Sequence, residues 1–178
     1  MPKGRHKGFT LIELLVVISI IGLLSSVVLA NLQATRVKAR DTERISELRE
    51  IRNALELYYA DRGYYPASPC GWDCNGYSTS YESSWDTLQT ELAPYIGSLP
   101  RDPVNSSCGP WGNGCHSYAY GNVGRTVNRA QYDLTAQLED TASRYRCDVK
   151  QYKYYFNDAY NWCSGWGSYS TQIYEASL

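Results

Sequence analysis

The sequence predicts an α+β fold, in which one long N-terminal helix packs on a small antiparallel β-sheet. No charged residue stands between Leu14 and Ala30, and an apolar helix of about 20 residues can span a bilayer. Residues 31–60 contain neither proline nor glycine, and apolar side chains recur there at steps of three and four. Short segments of alternating apolar residues follow in the second half of the chain, as expected for strands. We therefore expect a membrane helix that continues into a small globular head.

A basic leader precedes the apolar run and sets its orientation. Lys3, Arg5 and Lys7 should remain on the cytoplasmic side, so the rest of the chain is expected outside. A secretory signal peptide has its small-residue cleavage site after the apolar run, whereas here Gly8 stands before it. An uncleaved signal anchor is the second ordinary interpretation. Glu13 argues against both, because a carboxylate inside a membrane costs about 2.5–3.5 kcal/mol.

Glu13 requires a partner that offsets its charge. No Lys, Arg or His lies between Phe9 and Asn31. A cut after Gly8 would give Phe9 a new α-amine, four residues from Glu13. The pair could form within one chain or between neighbouring chains, where it would fix their axial register. Glu13 is therefore a candidate residue for subunit assembly.

The segment Gly8-Phe9-Thr10-Leu11-Ile12-Glu13, with its apolar flank, resembles the processing motif of type IV pilins and of the pseudopilins of type II secretion systems. The resemblance implies that a prepilin peptidase cuts between Gly8 and Phe9 and methylates Phe9. It implies that Glu13 directs the assembly of copies of the chain into a helical filament. An assembly ATPase, an inner-membrane platform protein and minor pilins are further partners that it implies, together with membrane lipid.

Several later segments are similar to the major pseudopilin of type II secretion and follow in the same order. They are Asp61-Arg62-Gly63-Tyr64-Tyr65-Pro66, Leu92-Ala93-Pro94-Tyr95-Ile96, Leu99-Pro100-Arg101-Asp102-Pro103 and Tyr118-Ala119-Tyr120. The resemblance therefore extends from the leader into the head.

Two features depart from this family. Ala30 stands where many members have a proline, so the helix unwinding associated with that proline lacks its usual cause, and Gly22 is the remaining weak point. The pseudopilin calcium loop has no clean counterpart, because the acidic residues near the C-terminus are scattered. They are Asp133, Asp140, Asp148 and Asp158. The resemblance allows calcium, but we assign no ligands and expect no cofactor.

We divide the chain into a cleaved leader (1–8), a transmembrane and assembly half of the helix (9–30), an amphipathic half (31–62) and a head (63–178). The helix is expected to run from Phe9 to Arg62, with Gly63 as its C-cap and Pro66 preventing its resumption. The apolar face should comprise Leu32, Ala39, Ile45, Leu48, Ile51 or Arg52, Leu55 and Tyr58. The opposite face is expected to be solvated or to contact other subunits. It carries Arg36, Lys38, Arg40, Asp41, Glu43, Arg44, Glu47, Arg49, Glu50 and Arg52.

The head should contain one short helix and three or four strands. Cys70 to Tyr81 is predicted to be a loop, because it is rich in glycine, serine, asparagine and cysteine. The helix should have Ser83 or Ser84 as its N-cap and should end before Pro94, with one apolar face formed by Trp85, Leu88 and Leu92. Strands are predicted around Tyr118 and Tyr120, along Tyr132, Leu134, Ala136 and Leu138, along Tyr152, Tyr154 and Phe156, and at an edge from Thr171 to Tyr174.

Six cysteines follow the hydrophobic helix and are predicted to form disulfides, which suits a small extracytoplasmic head. They are Cys70, Cys74, Cys108, Cys115, Cys147 and Cys163. Their spacing does not repeat a zinc-knuckle pattern. Sequence alone leaves the connectivity open, and pairing of sequence neighbours is our working hypothesis.

These features favour a structural protein over an enzyme. No phosphate loop or hydrolase motif is present, and His116 beside Cys115 is interpreted as a loop residue. The net charge of −1 gives no reason to expect nucleic acid. We expect a single-pass protein of the cytoplasmic (inner) membrane, with the head outside, that enters an extracytoplasmic or cell-surface filament.

The identity of the filament stays open between a type IV pilus and a secretion pseudopilus. The alternative function is a membrane-tethered minor pilin or binding module. Its tyrosine-rich head, with 17 tyrosines in the chain, would recognise glycan, a surface or DNA.

Overall fold

A computed structural model describes residues 8–68, 77–112, 114–122, 132–145 and 173–176. The elements in chain order are helix α1 (Leu11–Arg62), strand β1 (Tyr77–Thr79), helix α2 (Ser83–Leu92), and strands β2 (Tyr118–Gly121), β3 (Asp133–Gln137) and β4 (Ile173–Glu175). In these ranges the strands form one antiparallel sheet in the order β1-β2-β3-β4. The predicted α+β class, with one long N-terminal helix and a small antiparallel sheet, is confirmed.

The chain divides into two compact units, Met1–Val37 and Lys38–Leu178. In the first unit, most of the described apolar side chains of α1 are exposed, including Leu15, Ile20 and Leu24. α1 is long and apolar enough to cross a membrane. Its composition and exposure are those expected of a helix whose apolar surface contacts lipid or other helices.

In the second unit, α1 contributes one wall of the apolar core. Leu48, Ile51 and Leu55 are fully buried. They belong to one cluster with Trp85, Leu88 and Leu92 of α2 and with Tyr118, Tyr120, Leu134 and Ala136 of the sheet. Burying a side chain of this size stabilises the fold by about 1.5–3 kcal/mol. The predicted faces of α1 from Ile45 onward and of α2 are therefore confirmed.

The predicted apolar face of α1 is wrong at its upstream end. Leu32 is 42% exposed and Ala39 is exposed. The buried positions between Ala39 and Ile45 are Asp41 and Arg44 instead, and Asp41 contacts the segment after β3. Helical periodicity alone could not show that the head contacts this part of α1 through charged groups.

The C-terminal end of α1 follows the prediction. Gly63 has φ +73°, and its N–H donates to the carbonyl of Tyr59 over 2.7 Å. Glycine adopts this left-handed conformation without the steric cost that a Cβ brings. Gly63 is therefore the C-terminal cap of the helix.

Two elements of the head differ from the prediction. Tyr77–Thr79 lies in the region predicted as a loop but forms β1, because it pairs with β2, and the Tyr77 hydroxyl donates to Asp133 over 2.6 Å. The N-cap of α2 is Glu82 and not Ser83 or Ser84. The N–H of Trp85 reaches the carbonyl of Glu82 over 3.2 Å, so the first turn closes earlier.

The strands of the second half largely agree with the sequence pattern. β2 and β3 coincide with the predicted segments, and β4 covers Ile173–Glu175 where an edge strand from Thr171 to Tyr174 was expected. The strand predicted along Tyr152, Tyr154 and Phe156 lies outside the described residues.

Candidate assembly site and the charged network of the head

The predicted processing site lies directly before α1. Gly8 and Phe9 stand outside regular secondary structure and are exposed, Phe9 by 80%. The next apolar side chains, Leu11 and Ile12, are 86% and 72% exposed. A protease could therefore reach the bond between Gly8 and Phe9, and the apolar surface that follows is available to lipid or to other chains.

The carboxylate of Glu13 closes the first turn of α1 together with Thr10. Glu13 Oε2 accepts the N–H of Thr10 over 2.8 Å and the Thr10 hydroxyl over 2.6 Å, and the N–H of Glu13 lies 3.3 Å from Thr10 Oγ1. This is a capping box, in which a threonine and a glutamate three residues later satisfy each other's N–H groups. It explains why α1 begins at Leu11 and not at the predicted Phe9.

The capping role of Thr10 was not predicted, although the Thr10-x-x-Glu13 pattern is readable in the sequence. Thr10 supplies neutral donors that reduce the cost of placing a carboxylate near a membrane. The pairing of Glu13 with the α-amine of Phe9 concerns the cleaved chain and stays a prediction.

A buried ion-pair network joins α1 to two other parts of the head. The Arg44 side chain is fully buried. Its Nε lies 2.7 Å from Asp102 Oδ2 and its Nη2 lies 3.1 Å from Asp102 Oδ1. Its Nη1 lies 2.8 Å from Asp41 Oδ1 and 2.7 Å from Glu139 Oε1. One guanidinium thus binds α1, the loop before β2 and the segment after β3.

Two further contacts complete this network. Arg40 donates through both Nε and Nη2 to the Glu139 carboxylate. Asp41 accepts the backbone N–H of Glu139 over 2.9 Å and that of Asp140 over 2.8 Å. The charges are therefore paired and their remaining acceptor sites are used, which is the condition for burying them at acceptable cost.

The network shifts the pKa values of its members. Hydrogen bonds from Arg40, against an opposing effect of burial and with help from Arg44, lower the pKa of Glu139 to about 2. Burial lowers the pKa of Arg44, but the hydrogen bonds to Asp102, Glu139 and Asp41 outweigh it and raise that pKa. Both groups are therefore charged near neutral pH.

The burial of Asp41 and Arg44 corrects the expectation that they lie on a solvated face. Arg36, Lys38, Glu43, Arg49 and Glu50 are exposed as predicted. The sequence carried no local signal for the difference, because the partners Asp102 and Glu139 are distant along the chain.

One disulfide is present in the described part of the head. Cys108 and Cys115 are bonded, with their Cα atoms 5.5 Å apart, so the structure pairs two sequence neighbours. His116, next to this disulfide, has Nδ1 3.2 Å from the carbonyl of Gln137, as expected of a loop residue. Cys70, Cys74, Cys147 and Cys163 lie outside the described residues.

The acidic residues considered for calcium occupy separate places. Asp133 accepts the Tyr77 hydroxyl, and Asp140 Oδ1 accepts the N–H of Ala142 over 2.9 Å. Asp148 and Asp158 are not among the described residues. Within the described ranges no group of three or more His, Cys, Asp or Glu side chains is arranged to hold a metal ion.

Known proteins share both the leader motif and much of the head. Residues 3–29 match the family model described as the prokaryotic N-terminal methylation motif. The type II secretion system core protein G of Aeromonas hydrophila is 33% identical over 125 residues, which cover 70% of this chain and 81% of the relative. The protein of the same name from Escherichia coli (strain K12) is 33% identical over 136 residues, or 76% of this chain and 83% of the relative.

A pilus protein is also similar over a shorter segment. The type IV wide pilus major component of Thermus thermophilus is 44% identical over 62 residues, which cover 35% of this chain and 47% of the relative. No solved structure matches. The long similarity to the core protein G sequences, together with the methylation motif and the long-helix α+β fold, shows that this chain belongs to the pilin-like family of type II secretion system major pseudopilins.

Proposed function

We propose that this chain is made as a prepilin, is cut between Gly8 and Phe9, is methylated on Phe9, and polymerises with copies of itself into a type II secretion pseudopilus. The match of residues 3–29 to the N-terminal methylation motif carries this proposal, because that segment contains the basic leader, the cleavage bond and Glu13. The similarity to core protein G along 70% or more of the chain supports a pseudopilus over a pilus.

Glu13 would change partners during assembly. In the single chain its carboxylate accepts two hydrogen bonds from Thr10, both from uncharged donors. After cleavage, the α-amine of Phe9 in a neighbouring subunit would add a positive charge that neutralises the carboxylate, which the uncharged donors of Thr10 cannot do. A subunit would thus keep its helix start capped in the bilayer and exchange that cap for an ion pair when it joins the filament.

The topology follows from the same segment. Lys3, Arg5 and Lys7 would hold the leader on the cytoplasmic side, where the prepilin peptidase acts, and the head would lie outside the inner membrane. Membrane lipid would surround the apolar half of α1 before assembly. The assembly ATPase, the platform protein and minor pilins would then act on the processed subunit, which itself performs a structural and not a catalytic role.

Processing is tested by mass and by N-terminal sequencing of the membrane and filament fractions. The expected product begins with a methylated Phe9, whereas filament subunits that still carry residues 1–8 would contradict the proposal. In a strain that lacks the peptidase, the uncut chain should accumulate in the membrane.

The role of Glu13 is tested with two substitutions and one control. Glu13→Ala should abolish filaments and leave membrane insertion intact. Glu13→Gln keeps an acceptor for the capping box but removes the charge, so it should also fail to assemble. Filaments of normal length from Glu13→Gln would show that capping alone suffices. Glu43→Ala, an exposed glutamate later in the same helix, should assemble normally.

The choice between pseudopilus and pilus requires a cellular readout. Deleting the gene should stop export of type II substrates and leave surface pili visible by electron microscopy. Loss of surface pili with normal export would make the chain a pilus subunit instead. The alternative of a membrane-tethered minor pilin or binding module predicts a chain that stays monomeric and retains a ligand. One cavity of the head is a candidate site for such a ligand.

A further inference from the structure

A cavity of about 360 Å³ lies beside the start of α2 and the loop that the Cys108–Cys115 disulfide closes. Its described lining includes the aromatic residues Tyr81 and Trp111, the carboxylate residue Glu82 and the hydroxyl residue Ser107. Ligand pockets in proteins have volumes of about 300–1,000 Å³ and combine aromatic walls with a few polar groups. The cavity therefore has the size and composition of a small-molecule site.

The wall that carries Trp111 is held in place by groups that do not line the cavity. The side chain of Gln137 donates to the carbonyls of Pro110 and Gly112 over 3.0 and 2.9 Å. The Ser117 hydroxyl donates to the carbonyl of Cys108 over 2.6 Å. Both Gln137 and Ser117 are fully buried. The loop is thus fixed before any ligand arrives, which lowers the entropic cost of binding.

The indole of Trp111 is supported from behind. It packs so closely on Gly109 that a Cβ at that position would overlap the ring, and the Tyr77 ring lies 5.4 Å from it, centroid to centroid. Trp111 nevertheless remains partly exposed and lines the cavity. Glycine at position 109 therefore allows the indole to pack against the loop, and Trp111 contributes apolar surface beside the cavity.

The charges of the lining restrict the class of ligand. None of the described lining residues is Lys or Arg, so these residues offer no cationic side chain to a phosphate or carboxylate. The Glu82 carboxylate accepts the Thr79 hydroxyl over 2.7 Å and stands at the N-cap of α2, where the helix dipole stabilises a negative charge. Both effects stabilise the ionised carboxylate, which accepts hydrogen bonds from hydroxyl groups.

We propose that this cavity binds a neutral hexopyranoside, with the apolar face of the sugar ring stacked on Trp111 and its hydroxyls bonded to Glu82 and Ser107. An aromatic ring that supplies apolar contact, beside oxygen acceptors, matches a ligand that has one face of C–H groups and a rim of hydroxyls. The site would recognise the end of a glycan on a surface or on an exported glycoprotein. It depends on the head alone and requires neither cleavage at Gly8 nor polymerisation.

The test uses the full chain in micelles of a polyoxyethylene detergent, whose head group is neither a sugar nor an ammonium ion. The probes are the methyl β-pyranosides of glucose, galactose and N-acetylglucosamine, with tetramethylammonium as a cationic probe. In saturation-transfer NMR, at least one glycoside should receive magnetisation at the C–H protons of its ring, and tetramethylammonium should receive none. No transfer to any of the three glycosides would overturn the proposal.

Four variants locate the site. Trp111→Ala should weaken binding of the active glycoside at least tenfold. Ser107→Trp adds bulk at an exposed lining position without removing a contact from the core, and it should also weaken binding at least tenfold. This variant tests the cavity even if Trp111→Ala disturbs the loop. Glu82→Gln should weaken binding by no more than a few fold, since the amide still accepts a hydroxyl. Tyr145→Ala, at an exposed aromatic residue outside the cavity lining, should leave binding unchanged.

Two results would assign the site differently. Undiminished glycoside binding in both Trp111→Ala and Ser107→Trp would place any sugar site elsewhere. Binding of tetramethylammonium that Glu82→Gln abolishes would make the cavity a cation site, in which aromatic rings and a carboxylate act together. Both measurements use unassembled protein, so they are independent of the outcome of the processing and filament experiments.

Discussion

Removing the guanidinium of Arg44 should destabilise the head more than any other single charge change that we consider. The side chain is fully buried and bonds to Asp102, Asp41 and Glu139 over 2.7 to 3.1 Å. Arg44→Met keeps most of the apolar stem but leaves these carboxylates without their central cation. Breaking a buried ion pair by removing one partner costs about 3–5 kcal/mol. That cost is a large share of the roughly 5–15 kcal/mol by which a typical domain is stable.

The cost is measured by urea unfolding of the full chain in detergent micelles. All five tryptophans follow Gly71 in the sequence, so their fluorescence reports on the head and not on the apolar half of α1. Arg49→Met is the matched control, because Arg49 is exposed on the same helix, and it should change the free energy of unfolding by less than about 0.5 kcal/mol.

A double-mutant cycle separates the ion pair from general effects of substitution. Asp102→Asn keeps the acceptor that receives the N–H of Val104 over 2.8 Å but removes the charge that faces Arg44. If the two charges stabilise each other, the double variant should be more stable than the sum of the single effects predicts, by about 1–3 kcal/mol. A coupling energy below about 0.5 kcal/mol, or an Arg44→Met variant as stable as Arg49→Met, would refute the reasoning.

Three other perturbations test separate features of the head. Glu139→Gln should lower the free energy of unfolding by about 1–2 kcal/mol at pH 7, after allowance for solvent screening. Because the native pKa is about 2, the difference in unfolding free energy between variant and wild type should shrink as the pH falls from about 5 toward 2. A difference in urea unfolding that stays constant over this range would contradict the prediction. Gly63→Ala should cost about 1–2 kcal/mol, because a Cβ is strained at φ +73°. A Cβ at position 63 would meet no other atom within 4 Å, so the cost comes from the backbone conformation alone. Gly97→Ala, which also has open space but no positive φ, is the control and should be nearly neutral. The double replacement of Cys108 and Cys115 by serine should cost about 2–3 kcal/mol; reduction with dithiothreitol should then produce no further loss from this pair, and an unchanged urea midpoint would refute the contribution.

The sequence predicted those parts of the fold that depend on local patterns. The stripe through Leu48, Ile51 and Leu55, the glycine cap at Gly63 and the alternation that forms β3 all follow from neighbouring residues, and the structure contains each of them. The candidate processing site at Gly8 was likewise readable because its residues are contiguous.

The features that were missed depend on contacts between distant segments. Tyr77–Thr79 is a strand only because β2 pairs with it. Arg44 was predicted to lie on the solvated face of α1, but its guanidinium is buried against Asp102 and Glu139. These partners are 58 and 95 residues away in the sequence. A charged residue on a helix has the same local pattern whether its partner is solvent or a distant carboxylate, so periodicity could not distinguish the two.

The network around Arg44 also decides where a soluble version of the molecule can begin. Arg40, Asp41 and Arg44 all follow the boundary between Val37 and Lys38. A truncated protein that starts at Lys38 would lack the apolar half of α1 and would keep these three residues, which tie the helix to the head. A truncation only one or two turns further on would remove these residues and leave buried carboxylates without their cationic partners.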